Sequence, residues 1–213
     1  MTVDRVRHFA KAERTLSEVL SVAPQHAFAH AVLGLVQILT NRSAQGISQV
    51  LALDRNLAHA HGLIGLGKNM MGRSAETEGH VCKALRLSPR DTRAYLWMTI
   101  VGGAKLHVGA DEEALAWFRR SLGDNRNNPL AHFQHAAALA LLGHLNEAQA
   151  ATQAGLVLDP SFTLHRFRAN PPSNNPTYLA AGSRILEAMR IAGVPERQAH
   201  CEAGVSSLGS GMA

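Results

Sequence analysis

Aromatic residues are scarce: Phe, Trp and Tyr together make up 5% of the 213 residues. Ala, Leu and Gly dominate the apolar set instead, and small side chains let helices approach closely. Cysteine is nearly absent. Cys82 and Cys201 are far apart in sequence, so neither a disulfide framework nor a cysteine-based metal site is expected, only two reduced thiols. Long hydrophobic runs are missing too. The longest, Ala31 to Leu39 and Ala136 to Leu142, fall well short of the roughly 18 residues that a membrane span needs. The first residues, MTVDRVRHFAKAER, are charged and lack the apolar segment of a signal peptide. These features predict a cytoplasmic protein without membrane contact. Nucleophile and phosphate-binding motifs are also lacking. There is no Gly-x-Ser-x-Gly, no phosphate-cradling Gly-rich loop, and no GxGxxG opening a helix after a strand.

What the chain does contain is a repeat. Ala58 to Asp91, AHAHGLIGLGKNMMGRSAETEGHVCKALRLSPRD, reads as two helices and a turn. Ala60, Leu63, Ile64, Leu66 and Gly67 fall at helical spacing, and the first helix ends near Gly72. Gly62, Gly65 and Gly67 lie inside it, where they suit close helix contact. Ser74 is the expected N-cap of the second helix, with Glu76 and Glu78 in its first turn, where the helix dipole favours acids. Val81, Ala84, Leu85 and Leu87 form an apolar stripe, Arg86 sits in the last turn, and Pro89 stops the helix. The unit spans about 34 residues, the period of a tetratricopeptide (TPR) repeat, with Ile64-Gly65, Ala84 and Pro89 at the characteristic positions.

The rest of the chain follows this register. Phe9 to Ala23 is predicted as an amphipathic helix ending at Pro24, a second helix without its first. The array thus begins mid-repeat, as a capped start or as the tail of something longer. Repeat one starts at Ala27, with Leu33-Gly34, and its second helix, Ala44 to Leu53, is short. Repeat three begins near Thr92 and carries about three extra residues near Gly102-Gly103. In its second helix, DEEALAWFRRSL, Asp111 is the expected cap and Arg119 and Arg120 fill the last turn. Repeat four runs from Pro129 to Pro160, with Gly143 at its turn and Asn146 as a cap. Beyond it, Ser161 to Arg168 forms a short helical turn and Ala169 to Asn175 a loop. A final helix starts at Pro176 behind an Asn175 N-cap and ends at Gly193 and Pro195. Tyr178, Leu179, Ile185, Leu186 and Met189 give this helix one apolar face, which is expected to cover the open end of the array. The tail from Ala203 is expected to be disordered.

The predicted architecture is therefore an all-α, right-handed α-solenoid of about four TPR-like helix pairs, with an N-terminal half-repeat and a C-terminal capping helix. Its divisions are residues 1–26, the array 27–160, the loop and capping helix 161–195, and the tail 196–213.

Two features invite functional readings that the repeat explains more simply. Of the twelve histidines, His59/His61 and His132/His135 form close pairs. His30, His61 and His132, with Tyr95, occupy one repeat position that takes a large flat side chain, and no zinc-type spacing is present. The net charge of +5 and pI near 9.8 raise nucleic-acid binding. Acids at helix starts and bases at helix ends account for the distribution, and aromatic-basic interleaving is absent, so nucleic acid is not the expected partner. No catalytic, cofactor or metal residue is expected, and no cofactor. The informative place is the concave groove lined by the first helices. Its predicted residues are Leu63, Leu66 and Asn69, then Arg93, Leu96, Trp97 and Ile100, then Leu130, Phe133, Gln134 and Ala137. This surface is mostly apolar. It suits an amphipathic peptide or helix of a protein partner, or the chain's own segment around Phe162 to Phe167. Trp97, Leu96 and Phe133 are the expected floor.

Several runs carry a more specific likeness: ALDRNLAHAHGLIGLGKNMMGRSAETEGHVCKALRLSPRDTRAYLWM, NRNNPLAHFQHAAALALLG, LDPSFTLHRFR, NPTYL and ILEAMRIAGVPE. Together, over about residues 10–197, they resemble the C-terminal TPR region of bacterial class III adenylate/guanylate cyclases and of related winged-helix regulators. That resemblance implies a regulatory interaction region, placed in those proteins after a catalytic or DNA-binding domain. No metal-binding aspartate pair of a cyclase is found in this sequence, and no catalytic residue carries over. The expectation is a non-catalytic protein-interaction scaffold. The alternatives are a nucleotidyl cyclase by resemblance, and a weak nucleic-acid binder.

Overall fold

The computed structural model describes residues 3–51, 57–169 and 171–198. Every regular element among them is helical: α1 (Val3–Val22), α2 (Ala27–Leu39), α3 (Ser43–Leu51), α4 (Ala58–Met70), α5 (Thr77–Leu87), α6 (Ala94–Val108), α7 (Asp111–Asp124), α8 (Pro129–Leu141), α9 (Leu145–Leu158), α10 (Leu164–Ala169) and α11 (Pro176–Ile191). α2/α3, α4/α5, α6/α7 and α8/α9 are four antiparallel pairs stacked in order, with α1 against α2. This is an α-solenoid of TPR-like repeats. The expected end of repeat one's second helix at Leu53 and the tail from Ala203 lie outside the described residues.

One local device makes the turn within each pair. The first helix of each pair ends on a residue in the left-handed region: Asn41 (φ 63°), Gly72 (73°), Gly109 (79°) and Gly143 (80°). The residue after each donates its N–H back five positions, Arg42 to Gln37, Arg73 to Lys68, Ala110 to Lys105 and His144 to Leu139. That is the Schellman bond, and a positive φ comes at least cost from Gly, with Asn next. Three expected caps are corrected. Asp111 and Asn146 fall inside their helices, as the first residue of α7 and the second of α9, and not at the cap position. α7 and α9 start behind Ala110 and His144 without a side-chain cap bond. A single 3₁₀ turn, Ser74–Glu76, precedes α5, and the Ser74 hydroxyl donates instead to Asn69 Oδ1 at 2.8 Å. Arg119 and Arg120 are corrected as well: α7 runs a further turn to Asp124, so no base stands in its last turn.

Close contacts follow the small residues. A Cβ on Gly62 would lie 2.5 Å from Trp97 Nε1, one on Gly102 2.5 Å from the Phe118 ring, and one on Gly155 2.8 Å from the Phe133 ring. Thr99 Oγ1 and Ser121 Oγ bond at 2.8 Å between α6 and α7. Thr77 Oγ1 donates to the Gly65 carbonyl at 3.1 Å. The extra residues of repeat three lengthen α6 to 15 residues, against 13 for α2, α4 and α8. The described part of α3, Ser43–Leu51, spans nine residues.

The predicted final helix is present with its Asn175 cap, whose side chain accepts from Tyr178 N. Its position differs from the expected one over the end of the array. After α9 the chain turns through Phe162 and α10 and returns toward repeats one and two. There Ser173 Oγ donates to the Met70 carbonyl at 2.6 Å and Asn174 N to Asn41 Oδ1 at 2.8 Å. α11 then packs across α6 and α8. The reason is apolar area: Ile185, Ala188, Met189, Ala192 and Val194 join Phe133, Ala136, Ala137 and Ala140 in one buried cluster.

Candidate partner-binding surface

The first helices form the inner side of the curve. α2 packs on α4, α4 on α6, and α6 on α8 along the array, while the second helices make no comparable contact with each other. This inner face has two edges. The carboxyl-terminal edge of the first helices is covered by residues 171–198. Besides the bonds to Met70 and Asn41, Arg184 clamps Asp111 through both nitrogens, with Nη1–Oδ1 at 3.0 Å, and donates to the Leu106 carbonyl at 3.3 Å. Tyr178 lies against His107, with ring centroids 4.5 Å apart. The amino-terminal edge carries exposed apolar side chains. Phe28 is 54% exposed on α2, Leu96 42% on α6 and Leu130 40% on α8. Rings link the first three repeats along it: Phe28 stacks on His59 at 6.2 Å, and His59 meets Trp97 at 6.5 Å.

The predicted groove residues separate by depth. Leu63 is buried with Ile38, Ile64 and Met70, and Leu66 packs half-buried against the same cluster. Asn69 is buried and holds the Ser74 hydroxyl. Trp97 is 2% exposed under Gly62, in a cluster with Val81, Ala84, Met98, Val101 and Trp117, and Ile100 borders it. Phe133 is fully buried and stacks on Phe162 with centroids 3.8 Å apart. Ala137 is fully buried. Trp97 and Phe133 are therefore packed between helices, Trp97 because a glycine faces it and Phe133 because the chain's own Phe162 covers it. Gln134 lies half-buried over Gly103. Arg93 is half-buried, its N–H donating to Asp91 Oδ1 at 2.8 Å. Leu96 and Leu130 reach solvent. Phe28 and His59 were missed. Phe28 occupies in repeat one the place of Leu130 in repeat four, so the repeat register carried into repeat one would have named it.

The histidines divide in the same way. His30 Nε2 bonds the Pro24 carbonyl at 2.8 Å, and His132 Nε2 bonds the Arg126 carbonyl at 2.9 Å, both six residues back. The shared repeat position thus ties a first helix to the turn before it. His107 and His135 are held neutral, their pKa values pushed down to about 4 by burial. Burial also lowers His59, helped by the Arg93 charge and opposed by Asp91. Among the described residues no three His, Cys, Asp or Glu side chains come together in a way that holds a metal ion, and no helix is long and apolar enough to cross a membrane.

A cleft of about 690 Å³ lies between the outgoing segment, Phe162 to Pro172, and α11. Its floor is His107 and Gln134 from the inner face.

No family profile matches the chain, and no curated protein matches its sequence. Solved structures do. PilF of Pseudomonas aeruginosa superposes with a TM-score of 0.63 at 19% identity, over 89% of this chain and 82% of that one. MamA gives 0.55 at 17% identity, over 75% and 96%. YrrB, described as a TPR protein with an unusual peptide-binding site, gives 0.53 at 18%, over 83% and 95%. The fold is a TPR solenoid. At these identities the likeness speaks for the fold alone, and function has to be argued from this chain's own surface.

Proposed function

We propose that this TPR solenoid is a non-catalytic interaction module that docks a polypeptide partner along the open amino-terminal edge of its inner face. The observation that carries the reading is the recurrence of large exposed apolar side chains, Phe28, Leu96 and Leu130, near the starts of three first helices. They stand beside the ring row Phe28–His59–Trp97. Exposed apolar groups that recur with the repeat present a strip to an extended or helical partner. Of the predicted groove residues, Leu96, Leu130, Arg93 and Ile100 belong to this strip. Leu63, Trp97 and Phe133 are packed beneath it, while Leu66, Asn69 and Gln134 lie toward the other edge. Glu78 and Glu113 are engaged in ion pairs around Lys105, and among the described residues no group of three or more His, Cys, Asp or Glu side chains could hold a metal for phosphate chemistry. YrrB's described peptide site is in keeping with a protein partner. We further propose that the module regulates an output domain, as the cyclase and winged-helix resemblance implies.

The test is capture from cell extract by the full chain and by a Phe28→Ser/Leu96→Ser/Leu130→Ser variant, with circular dichroism to check folding. A specific partner retained by the first and lost by the second is the expected result. Equal capture, turnover of ATP or GTP to a cyclic nucleotide by the purified chain, or salt-dependent DNA binding would each overturn it.

A further inference from the structure

The open strip carries a charge in its own line. Two residues before the repeat position shared by His30, His61, Tyr95 and His132 stand Phe28, His59, Arg93 and Leu130, one in each repeat. Along the open edge this row runs ring, ring, cation, leucine, with Leu96 one turn further along α6 on the same face as Arg93. Arg93 lies near enough to His59 for its charge to help burial lower the His59 pKa. Its side chain gives Nε to Asp91 at 3.4 Å, and its two terminal nitrogens make no bond among the described residues. Arg90 in the loop entering α6, Arg126 in the loop entering α8 and Arg86 in the last turn of α5 are exposed and enter no ion pair among the described residues. From α5 to α8 the acids at this edge are Asp91, held by Arg93, and Asp124 at the end of α7. The antiparallel pairing is the cause. Second helices start at the opposite edge, so the acids that favour helix starts, Glu78, Asp111, Glu112, Glu113 and Glu147, collect there.

A partner that covers Phe28, Leu96 and Leu130 also covers Arg93. A wholly apolar segment would strip water from a guanidinium with two unmet nitrogens, and a buried charge left unpaired is costly. A basic segment would set its own cations against Arg90, Arg93 and Arg126. A carboxylate meets the terminal nitrogens of Arg93 while Nε stays with Asp91, and it gains from the unpaired Arg90 and Arg126 on either side. Nucleic-acid bases would need aromatic platforms to stack on, whereas the exposed anchors are one ring and two leucines. We propose that the partner docked along this strip is an acidic amphipathic segment, its apolar side chains on Phe28, Leu96 and Leu130 and a carboxylate between them on Arg93. With first helices roughly 8–10 Å apart, the row of four spans about 24–30 Å, the length of about 16–20 residues of helix. The proposal rests on the reading of the open edge as the partner surface and adds the partner's charge.

Arg90→Glu/Arg126→Glu supplies the charge reversal. Both side chains are exposed and outside any ion pair among the described residues, so the fold is expected to survive, which circular dichroism checks. The probe is a library of random peptides of about 20 residues, displayed on yeast and sorted with the labelled full chain. Strip binders are the clones retained by the parent and lost with Phe28→Ser/Leu96→Ser/Leu130→Ser. They are expected to carry an excess of Asp and Glu over Lys and Arg relative to the unsorted library, and sorting with Arg90→Glu/Arg126→Glu is expected to reverse that bias. A strip binder made as a free peptide should bind about tenfold more weakly to the double reversal and about fivefold more weakly to Arg93→Gln. Strip binders without an acidic excess, an excess unchanged by the double reversal, or equal affinity for Arg93→Gln overturns the proposal. So does a single-stranded oligonucleotide that binds tighter than the peptide and displaces it, which would make this edge a phosphate-binding surface. The two readings fail separately. If no clone depends on Phe28, Leu96 and Leu130, the strip itself is refuted; strip binders without charge preference refute the acidic partner alone.

Discussion

Glycine shows how much a single position depends on what faces it. Gly62 and Gly182 both lie within helices, and on propensity alone each should gain roughly 1 kcal/mol from replacement by Ala. A Cβ at Gly62 collides with the buried Trp97 ring, while one at Gly182 enters open space. Gly182→Ala is therefore expected to raise the urea midpoint. Gly62→Ala is expected to lower it, by about 1–3 kcal/mol of overpacking less the propensity gain; a rise for both would show that Trp97 yields freely. The buried histidines give a second residue-scale expectation. His107 and His135 titrate near 4 when folded and near 6.5 when unfolded. The unfolded state thus binds more protons between those values, and stability present above about pH 6.5 is lost as pH falls toward 4. Each contributes a slope of at most about 1.4 kcal/mol per pH unit, and His59 and His80, also lowered, add to it. The carboxylates with lowered pKa, Glu13, Glu76, Asp159 and Glu187, add their loss only below their ordinary values of 4.5 and 3.8. Urea melts at pH 7, 6, 5 and 4.5 should show the slope, and His107→Phe should make it shallower.

Among elements, α3 and α11 are held least by their own sequence. Repeat one is short in sequence, Pro24 and Arg55 standing 31 positions apart where Arg55 to Pro89 and Arg126 to Pro160 each span 34, so its second helix has less chain to bury against its neighbours, and solenoids open where neighbour contacts are poorest. Hydrogen exchange is expected to be faster across residues 43–51 than across 77–87; equal protection would contradict this. α11 is amphipathic, yet its docking depends on distant partners, above all the Arg184 clamp on Asp111 and the Leu106 carbonyl. Arg184 is the more exposed partner of that pair, its side chain 41% exposed, so Arg184→Ala is expected to cost about 1 kcal/mol or somewhat more. Exchange should accelerate in residues 176–191 and leave α4 to α7 unchanged. Uniform acceleration would mean that α11 and the array unfold as one unit.

At the scale of the whole molecule, the C-terminal segment is part of the core and not an appendage. Phe162, Leu164, Ile185, Ala188 and Met189 are buried in the cluster that holds Phe133 and Leu139, and the Phe133–Phe162 stack adds about 0.5–1.5 kcal/mol beyond area. Deleting residues 161–213 is expected to bare the inner face of α8, lower the melting temperature sharply and promote association. Trp97 fluorescence is expected to change little, because that ring is packed against Gly62 and the α5–α7 cluster. A soluble monomer of unchanged stability would refute this account.

How much of this was legible follows from the range of each interaction. The repeat was legible because its causes are local. Schellman glycines at 72 and 143, small residues at helix contacts, prolines after helices and the Asn175-Pro176 start act within a few residues of one another, and the helix pairs formed where they predict. Local patterns also misled where a distant group competed. Ser74, Asp111 and Asn146 look like caps, but Asp111 and Asn146 fall inside their helices, the Ser74 hydroxyl bonds Asn69, and Asp111 is held by Arg184, 73 residues away. The candidate surface was read least well for the same reason. Repeat register puts Trp97 and Phe133 on the first helices, but whether a first-helix side chain meets solvent depends on what lies opposite, a glycine in one case and Phe162 in the other. By itself the sequence determined the solenoid, since each helix pair is specified by short-range geometry and nearest-neighbour burial. Only the tertiary structure decided that α11 folds back across the first helices, that one edge of the inner face is closed and the other open, and that a cleft forms between. Those depend on apolar area and hydrogen bonds between residues up to 133 positions apart, which no local pattern encodes.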